Sequence, residues 1–267
     1  MDLINNLKIL ITKTPLIKIV HSIQLNKMKK TVSKEDSSAL KFKPVIGISP
    51  YKTGTTYIES CYDNDIASND AMQHFTLKHG QEDFEAFFVQ RFNFLNLKLD
   101  CTGFWCGYIK ELAKHPIAKD LDYVFVVRNP SDWIKSTINY YSFENKNHYF
   151  NFINEYFWKG RLGIDIINFH TFDKARQSEV IEKLNTFYFD VLKNSRLLKN
   201  VHYVRLSNID SVFPIIDDLI DEKANLNKAF KRKTATQYKK FAYTNEQVDA
   251  KYEALLEQLG ITQQLIS

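Results

Sequence analysis

Two strand-loop-helix junctions constrain the fold of this chain more than any other feature. In the first, a short apolar run at residues 45–48 leads into a loop of small residues and then a helix that starts near Tyr57. In the second, the apolar run 123–127 leads through Arg128 and Pro130 into another helical stretch. Apolar strands that alternate with helices are typical of parallel sheets covered on both faces. The sequence therefore predicts an α/β fold, a three-layer sandwich in which helices cover both faces of a central, mainly parallel sheet.

The loop of the first junction, here called the phosphate loop, consists of Pro50, Tyr51, Lys52, Thr53, Gly54, Thr55 and Thr56. Small residues before a helix N-terminus let backbone N–H groups wrap closely around an anion such as phosphate. In the ATP-binding P-loop the order is Gly-Lys-Ser/Thr, and the hydroxyl ligates Mg²⁺. Here Lys52 precedes Gly54, so that metal-binding position is not reproduced. The order predicts a phosphate site that works without a divalent ion.

The second junction supplies side chains for another anionic group. Arg128 ends the apolar run, and its planar fork suits phosphate oxygens. Ser136 lies about two helical turns further on and can add a hydroxyl. Together the two junctions predict a grip on a nucleotide that carries two separate anionic groups.

In these two motifs the chain resembles the sulfotransferases that use 3′-phosphoadenosine 5′-phosphosulfate (PAPS). Their 5′-phosphosulfate loop, Pro-x-Lys-Ser/Thr-Gly-Thr-Thr, is matched by residues 50–56, and their 3′-phosphate arginine and serine by Arg128 and Ser136. The resemblance implies a three-layer sandwich of the P-loop type. It also implies metal-independent in-line transfer of a sulfuryl group to a hydroxyl or amine, which leaves adenosine 3′,5′-bisphosphate (PAP). It is closer to the bacterial-type glycan sulfotransferases than to the cytosolic phenol and steroid enzymes, which favours a glycan or glycolipid acceptor.

The same resemblance implies catalytic roles. Lys52 is expected to stabilise charge on the departing 5′-phosphate. Asp100 is the first choice for the base, because it follows a predicted strand at residues 94–99 much as a histidine does in the cytosolic enzymes. An ordinary carboxyl is a weak base, so Asp100 would need desolvation or a neighbouring charge. Glu59, His74 and His79 are the alternatives.

The family also holds the 3′-phosphate with a basic loop near the C-terminus. Arg232 and Lys233 are expected to close over the nucleotide here, although the Arg-Lys-Gly pattern of the cytosolic branch is absent and an exposed charge run explains them equally well. Aromatic residues and amides are concentrated in the segment 140–158. They suit stacking on sugar rings, and plain core packing explains them equally well.

Residues 1–38 differ in character from the domain predicted for residues 39–267. Apolar residues at helical spacing are interrupted by lysines, which predicts a basic amphipathic helical extension followed by a linker. The apolar runs are too short for a membrane span or a signal peptide. The extension is expected to pack on the domain itself, with peripheral contact to an anionic membrane surface as the alternative.

Composition narrows the remaining possibilities. A net charge of +5 spread over 267 residues gives no concentrated basic patch for nucleic acid. Three cysteines are too few for a disulfide framework, which favours a cytoplasmic location, with the inner face of a membrane as a variant. A P-loop small-molecule kinase that uses Mg-ATP and a non-catalytic nucleotide-binding protein stay open as alternative functions.

Overall fold

The computed structural model describes residues 16–144, 148–229 and 240–261. Within them, five strands form one sheet in the order β2-β3-β1-β4-β5, and every neighbouring pair is parallel. The strands are β1 (Val45–Gly47), β2 (Ala67–Ser68), β3 (Leu99–Asp100), β4 (Asp122–Val127) and β5 (Asn200–Arg205). The predicted α/β fold around a parallel sheet is confirmed.

The described α-helices cover both faces of this sheet, and short 3₁₀ and π segments join several of them. They are α1 (Leu16–Val32), α2 (Thr55–Ser60), α3 (Gln73–His79), α4 (Phe84–Leu95), α5 (Ile109–Lys114), α6 (Pro130–Ile138), α7 (His148–Ile153), α8 (Lys174–Asn194), α9 (Val212–Ile220) and α10 (Glu246–Gln258).

Strand β4 shows why the fold has three layers. Successive strand residues point to opposite faces, so the apolar run in β4 buries side chains on both sides. Tyr123 and Phe125 belong to one core, which contains side chains of α4, α5, α6, α8 and α10. Val124 and Val126 belong to a second core, which contains side chains of α2 and α9. The sheet is therefore the middle layer of a sandwich.

The boundary between α4 and β3 differs from the sequence prediction. Residues 94–99 were expected to form a strand, but α4 continues to Leu95 and β3 contains only two residues. Asn96 ends the helix in a left-handed conformation with φ of 52°, which asparagine adopts more readily than most residues. Phe92 and other apolar residues of α4 are buried at helical spacing, and this packing outweighs the local strand preference. Asp100 still lies at the carboxyl end of β3.

Helix α1 packs on the domain's own surface. Val32 is buried against Phe75 and Phe87. The chain after α1 is held by the Asn93 amide, which donates hydrogen bonds to the carbonyls of residues 36 and 39 at 3.0 and 2.8 Å. Ile19 on the same helix is exposed. No helix of the described chain is long and apolar enough to cross a membrane. Contact of α1 with a membrane surface stays a prediction.

Candidate phosphate and transfer site

The two predicted junctions meet at the carboxyl ends of β1 and β4, which are neighbours in the sheet. Trp133, fully buried in α6, donates its indole N–H to the Tyr51 carbonyl at 2.7 Å. Arg128 donates from Nη1 to the Lys52 carbonyl at 2.6 Å. Both bonds run from the second junction to the backbone of the phosphate loop. They bring the two halves of the predicted site together.

The phosphate loop presents a row of backbone N–H groups. Those of Thr53, Gly54, Thr55 and Thr56 donate no hydrogen bond to any residue that the structure describes. Lys52 and Gly54 have left-handed φ angles of 71° and 92°, which turn the loop so that consecutive amides can converge. The amides of Thr55 and Thr56 open α2, where the first N–H groups have no partner within the helix, and together with those of Thr53 and Gly54 they form a run of donors that suits an anion. Helix α2 is only six residues long, so the loop amides matter more here than a helix dipole.

Gly54 is required by shape as well as by conformation. A Cβ at this position would lie 2.4 Å from Cδ1 of Ile209, in the 3₁₀ segment Leu206–Ser211 after β5. A larger residue would force the Ile209 side chain to move and would be strained at this φ. The glycine therefore lets the phosphate loop pack closely against the segment after β5.

The side chains of Tyr51 and Lys52 have different surroundings. The Tyr51 ring is buried in the core, and its hydroxyl donates to Gln73 at 2.7 Å, so this residue supports the loop through packing and its backbone. The Lys52 ammonium lies 3.8 Å from the centre of the Tyr140 ring. A cation over an aromatic face is attracted by the ring's quadrupole. The ring thus holds the lysine side chain beside its own loop.

Tyr188 holds the backbone of Arg128 in place. Its backbone N–H donates to the Tyr188 hydroxyl at 2.9 Å, and that hydroxyl donates to the Arg128 carbonyl. Burial lowers the pKa of the guanidinium, but arginine stays charged at any physiological pH. Ser136 is half-buried on α6, and its role at a 3′-phosphate stays a prediction. Arg232 and Lys233 lie outside the described residues.

Asp100 is fully buried and its oxygens are occupied. Arg91, also fully buried, donates from Nη1 to Oδ2, and Trp105 donates to the same oxygen at 3.0 Å. Thr102 donates to Oδ1 from both its backbone N–H, at 3.0 Å, and its hydroxyl. A base must reach the proton that it removes. The prediction that Asp100 is the base is not favoured by this geometry, which gives Asp100 a structural set of partners.

The alternative bases from the sequence have different surroundings. His79 pairs with Glu82 at 2.8 Å and packs on Phe75, in the small core beneath α1. The side chain of His74 lies outside the described part of the structure. Glu59 is half-buried in α2, and burial raises the pKa of its carboxyl. Of Glu59 and His79, Glu59 has the surroundings better suited to a base.

Asp70 is a further carboxyl that the sequence did not point to. It follows β2, and its Oδ1 is closed off from solvent with no hydrogen-bond partner among the described residues. Burial is the main cause that raises the pKa of Asp70 to about 7, and the negative charges of Asp100 and Glu59 add to it. A hydrogen bond from Gln73 and the charge of Lys52 act in the opposite direction. Asp70 is therefore within electrostatic range of the predicted catalytic lysine.

A polar link joins Asp70's neighbour to the phosphate loop. Asn69 donates from its amide to the Thr56 hydroxyl at 2.9 Å, so the chain after β2 lies against the start of α2. Because β2 contains only two residues, it has no apolar run that would reveal it in the sequence. A polar Asn-Asp pair before the helical residues 73–79 is the one local signal, and by itself it indicates only a turn.

No protein-family model matches this chain, and no curated protein matches it. Within the described residues, no group of three or more histidine, cysteine, aspartate or glutamate side chains is placed to hold a metal ion.

Proposed function

We propose that this protein is a PAPS-dependent sulfotransferase. One observation carries the proposal: the amides of Thr53 to Thr56 have no hydrogen-bond partner among the described residues, and they directly follow Lys52, whose carbonyl accepts a bond from Arg128. A run of such amides beside a lysine suits the 5′-phosphosulfate, and a neighbouring guanidinium suits a second phosphate. The position of Lys52 before Gly54 favours this donor over Mg-ATP.

The proposed reaction is an in-line displacement at sulfur. The acceptor oxygen forms a bond to the sulfur of PAPS while the bond from sulfur to the bridging phosphate oxygen breaks. Negative charge moves onto the departing 5′-phosphate, where Lys52 and the loop amides stabilise it. The acceptor's proton goes to a carboxylate, and the products are PAP and the sulfated acceptor.

We assign the proton acceptor to Asp70 rather than to Asp100. A base works best when its pKa is near the working pH, and the pKa of Asp70 is raised to about 7. Asp100, in contrast, is paired with Arg91, and both of its oxygens accept hydrogen bonds. Glu59 is the second candidate. A carbohydrate hydroxyl is the proposed acceptor, on the resemblance to glycan sulfotransferases alone.

Calorimetric titration tests the donor half of this proposal. PAP and Mg-ATP are each titrated into wild type, Lys52→Ala and Arg128→Ala, with the exposed Lys110→Ala and Arg176→Ala as matched controls. We expect wild type to prefer PAP and the two site variants to bind it about tenfold or more weakly, since each loses a charge-assisted contact. The controls should bind normally. Equal or tighter binding of Mg-ATP would favour a kinase and refute the proposal.

Transfer of radiolabelled sulfate from PAPS tests the catalytic half. A panel of glycans serves as acceptor, with simple phenols and amines for comparison. We expect Asp70→Asn to bind PAP normally and to lose transfer by about a hundredfold or more. PAP binding without transfer to any acceptor by wild type would instead support a non-catalytic nucleotide-binding protein.

A further inference from the structure

The buried ion pair between Arg91 and Asp100 is unusual because neither side chain has any exposed surface. Removing two charges from water is costly, and such a pair stabilises a fold no better than well-packed apolar residues do. Buried ionic groups can instead fix one specific arrangement of the chain. The partners of this pair show which arrangement it fixes.

The network leads directly to the loop that follows β2, residues 69–72, here called the Asp70 loop. The Thr102 hydroxyl donates to Asp100 and accepts a hydrogen bond from the Asp70 backbone N–H at 3.0 Å. On the other side, Arg91 donates from Nη2 to the carbonyl of Ala71 at 2.9 Å. Arg91 therefore bonds to the backbone of the Asp70 loop directly, and Asp100 is linked to it through Thr102.

The Asp70 loop needs such support. Asp70 and Met72 both have left-handed φ angles, 74° and 54°, although neither is glycine. Residues other than glycine adopt this region at a cost and keep it only where surrounding contacts hold them there. The bonds from Thr102 and Arg91 lie next to these two residues. They are the contacts that select the conformation.

We propose that Asp100 is a positioning residue, which acts with Arg91 and Thr102 to hold the Asp70 carboxyl beside the phosphate loop. This inference rests on the proposed function in one respect, namely that Asp70 is the base of the transfer reaction. The hydrogen bonds from Thr102 and Arg91 to the Asp70 loop do not depend on the proposed function. The sequence predicted that Asp100 is the base. In this proposal Asp70 is the base, and Asp100 holds it in position.

The charges around Asp70 give the network a second effect. Asp100 from β3 and Glu59 from α2 face Asp70 with negative charge, whereas Lys52 of the phosphate loop faces it with positive charge, and Gln73 of α3 donates a hydrogen bond. Arg91 of α4 meets the loop only at a backbone carbonyl. Asp100 therefore helps to keep the Asp70 carboxyl a stronger base than an ordinary aspartate.

The test uses Thr102, because Asp100→Asn leaves a buried arginine unpaired and threatens the fold. Thr102→Val removes the hydroxyl that joins Asp100 to the Asp70 loop and keeps the shape, while Thr102→Ser restores the hydroxyl. The pKa of Asp70 is measured in the ligand-free protein by carbon NMR of labelled aspartate, with the signal assigned from Asp70→Asn. We expect Thr102→Val to lower this pKa by about one pH unit as the carboxyl becomes better hydrated. Thr102→Ser should resemble wild type.

The pKa measured from the Asp70 NMR signal therefore tests whether the network positions this carboxyl. The same pKa for Asp70 in wild type, Thr102→Val and Thr102→Ser would overturn the proposal. If urea unfolding shows that Asp100→Asn folds, this substitution should also lower the pKa of Asp70, and an unchanged value would again overturn the proposal. None of these measurements needs a sulfate acceptor. If Thr102→Val lowers the pKa of Asp70 but wild type transfers sulfate to no acceptor, the positioning network is upheld and the proposed reaction is rejected.

Discussion

Replacement of Asp70 by asparagine should make the protein more stable at neutral pH, although asparagine removes a proposed catalytic group. Folding raises the pKa of Asp70 from 3.8 to about 7, mainly by burial. The folded state therefore holds the proton more tightly than the unfolded state does. The stability that the protonated carboxyl contributes is complete below about pH 4 and is lost as the pH rises to about 7. Asparagine stays neutral and also tolerates the left-handed φ.

The size of the effect follows from the two pKa values. A difference of about 3 pH units at about 1.4 kcal/mol each gives an upper value of about 4 kcal/mol over the whole range. We expect about 2 to 3 kcal/mol of relative stabilisation of Asp70→Asn to develop between pH 5 and pH 8, where most of the titration falls.

Urea unfolding of wild type and Asp70→Asn at several pH values measures this difference. Asp120→Asn is the control, because the Asp120 carboxylate is exposed and a hydrogen bond from Lys199 lowers its pKa. A lowered pKa affects stability only in acid, so the free energy of unfolding of this control should follow wild type from pH 5 to pH 8. A constant difference between Asp70→Asn and wild type across that range would refute the assigned environment of Asp70.

Two further substitutions test the packing of the site. Gly54→Ala should lower the free energy of unfolding by about 1 to 3 kcal/mol, because the new methyl group meets the isoleucine side chain 2.4 Å away at a left-handed φ. Gly163→Ala, left-handed but with no atom within 4 Å of the new Cβ, should cost less, and urea unfolding that ranks the two the other way would contradict the proposed contact. Trp133→Phe should lower the free energy of unfolding by about 1 kcal/mol more than Trp158→Phe does, because Trp133, and not Trp158, donates a hydrogen bond to the Tyr51 carbonyl. Trp133→Phe should also weaken PAP binding in calorimetry. The Trp158 indole N–H has no partner among the described residues, so equal losses would contradict a role for that bond.

The sequence predicted best those features that depend on a short continuous stretch of residues. The apolar run of β4 predicted a buried strand because every residue in it is apolar and the strand is covered on both faces. The strand-loop-helix order of the first junction could be predicted because small residues stand directly between the apolar run of β1 and α2. Helix α10 also has a local start signal, because the Asn245 side chain accepts a hydrogen bond from the Val248 N–H at 3.1 Å. Local patterns were enough for these elements.

The surroundings of the carboxyl groups could not be predicted in the same way. The place of Asp100 at the end of a strand was correct, but nothing local shows that Arg91 of α4 turns inward to neutralise it. Asp70 resembles any polar turn residue in the sequence. Its raised pKa depends on burial and on charges that β3 and α2 bring close to it. Such effects arise only when distant segments meet, so they become visible only in the fold.

The neighbouring positions of β1 and β4 have a consequence for how the site comes into being. Val45 pairs with Asp122, so 77 positions of chain separate two strands that lie side by side. Parallel pairing over such separations forms late, because the entropy of closing a long loop is lost before the contact is gained. During synthesis the phosphate loop therefore emerges well before Arg128 and Trp133, which hold its carbonyls. A nucleotide that needs both junctions binds only the assembled sheet, and its binding should protect the whole domain from unfolding.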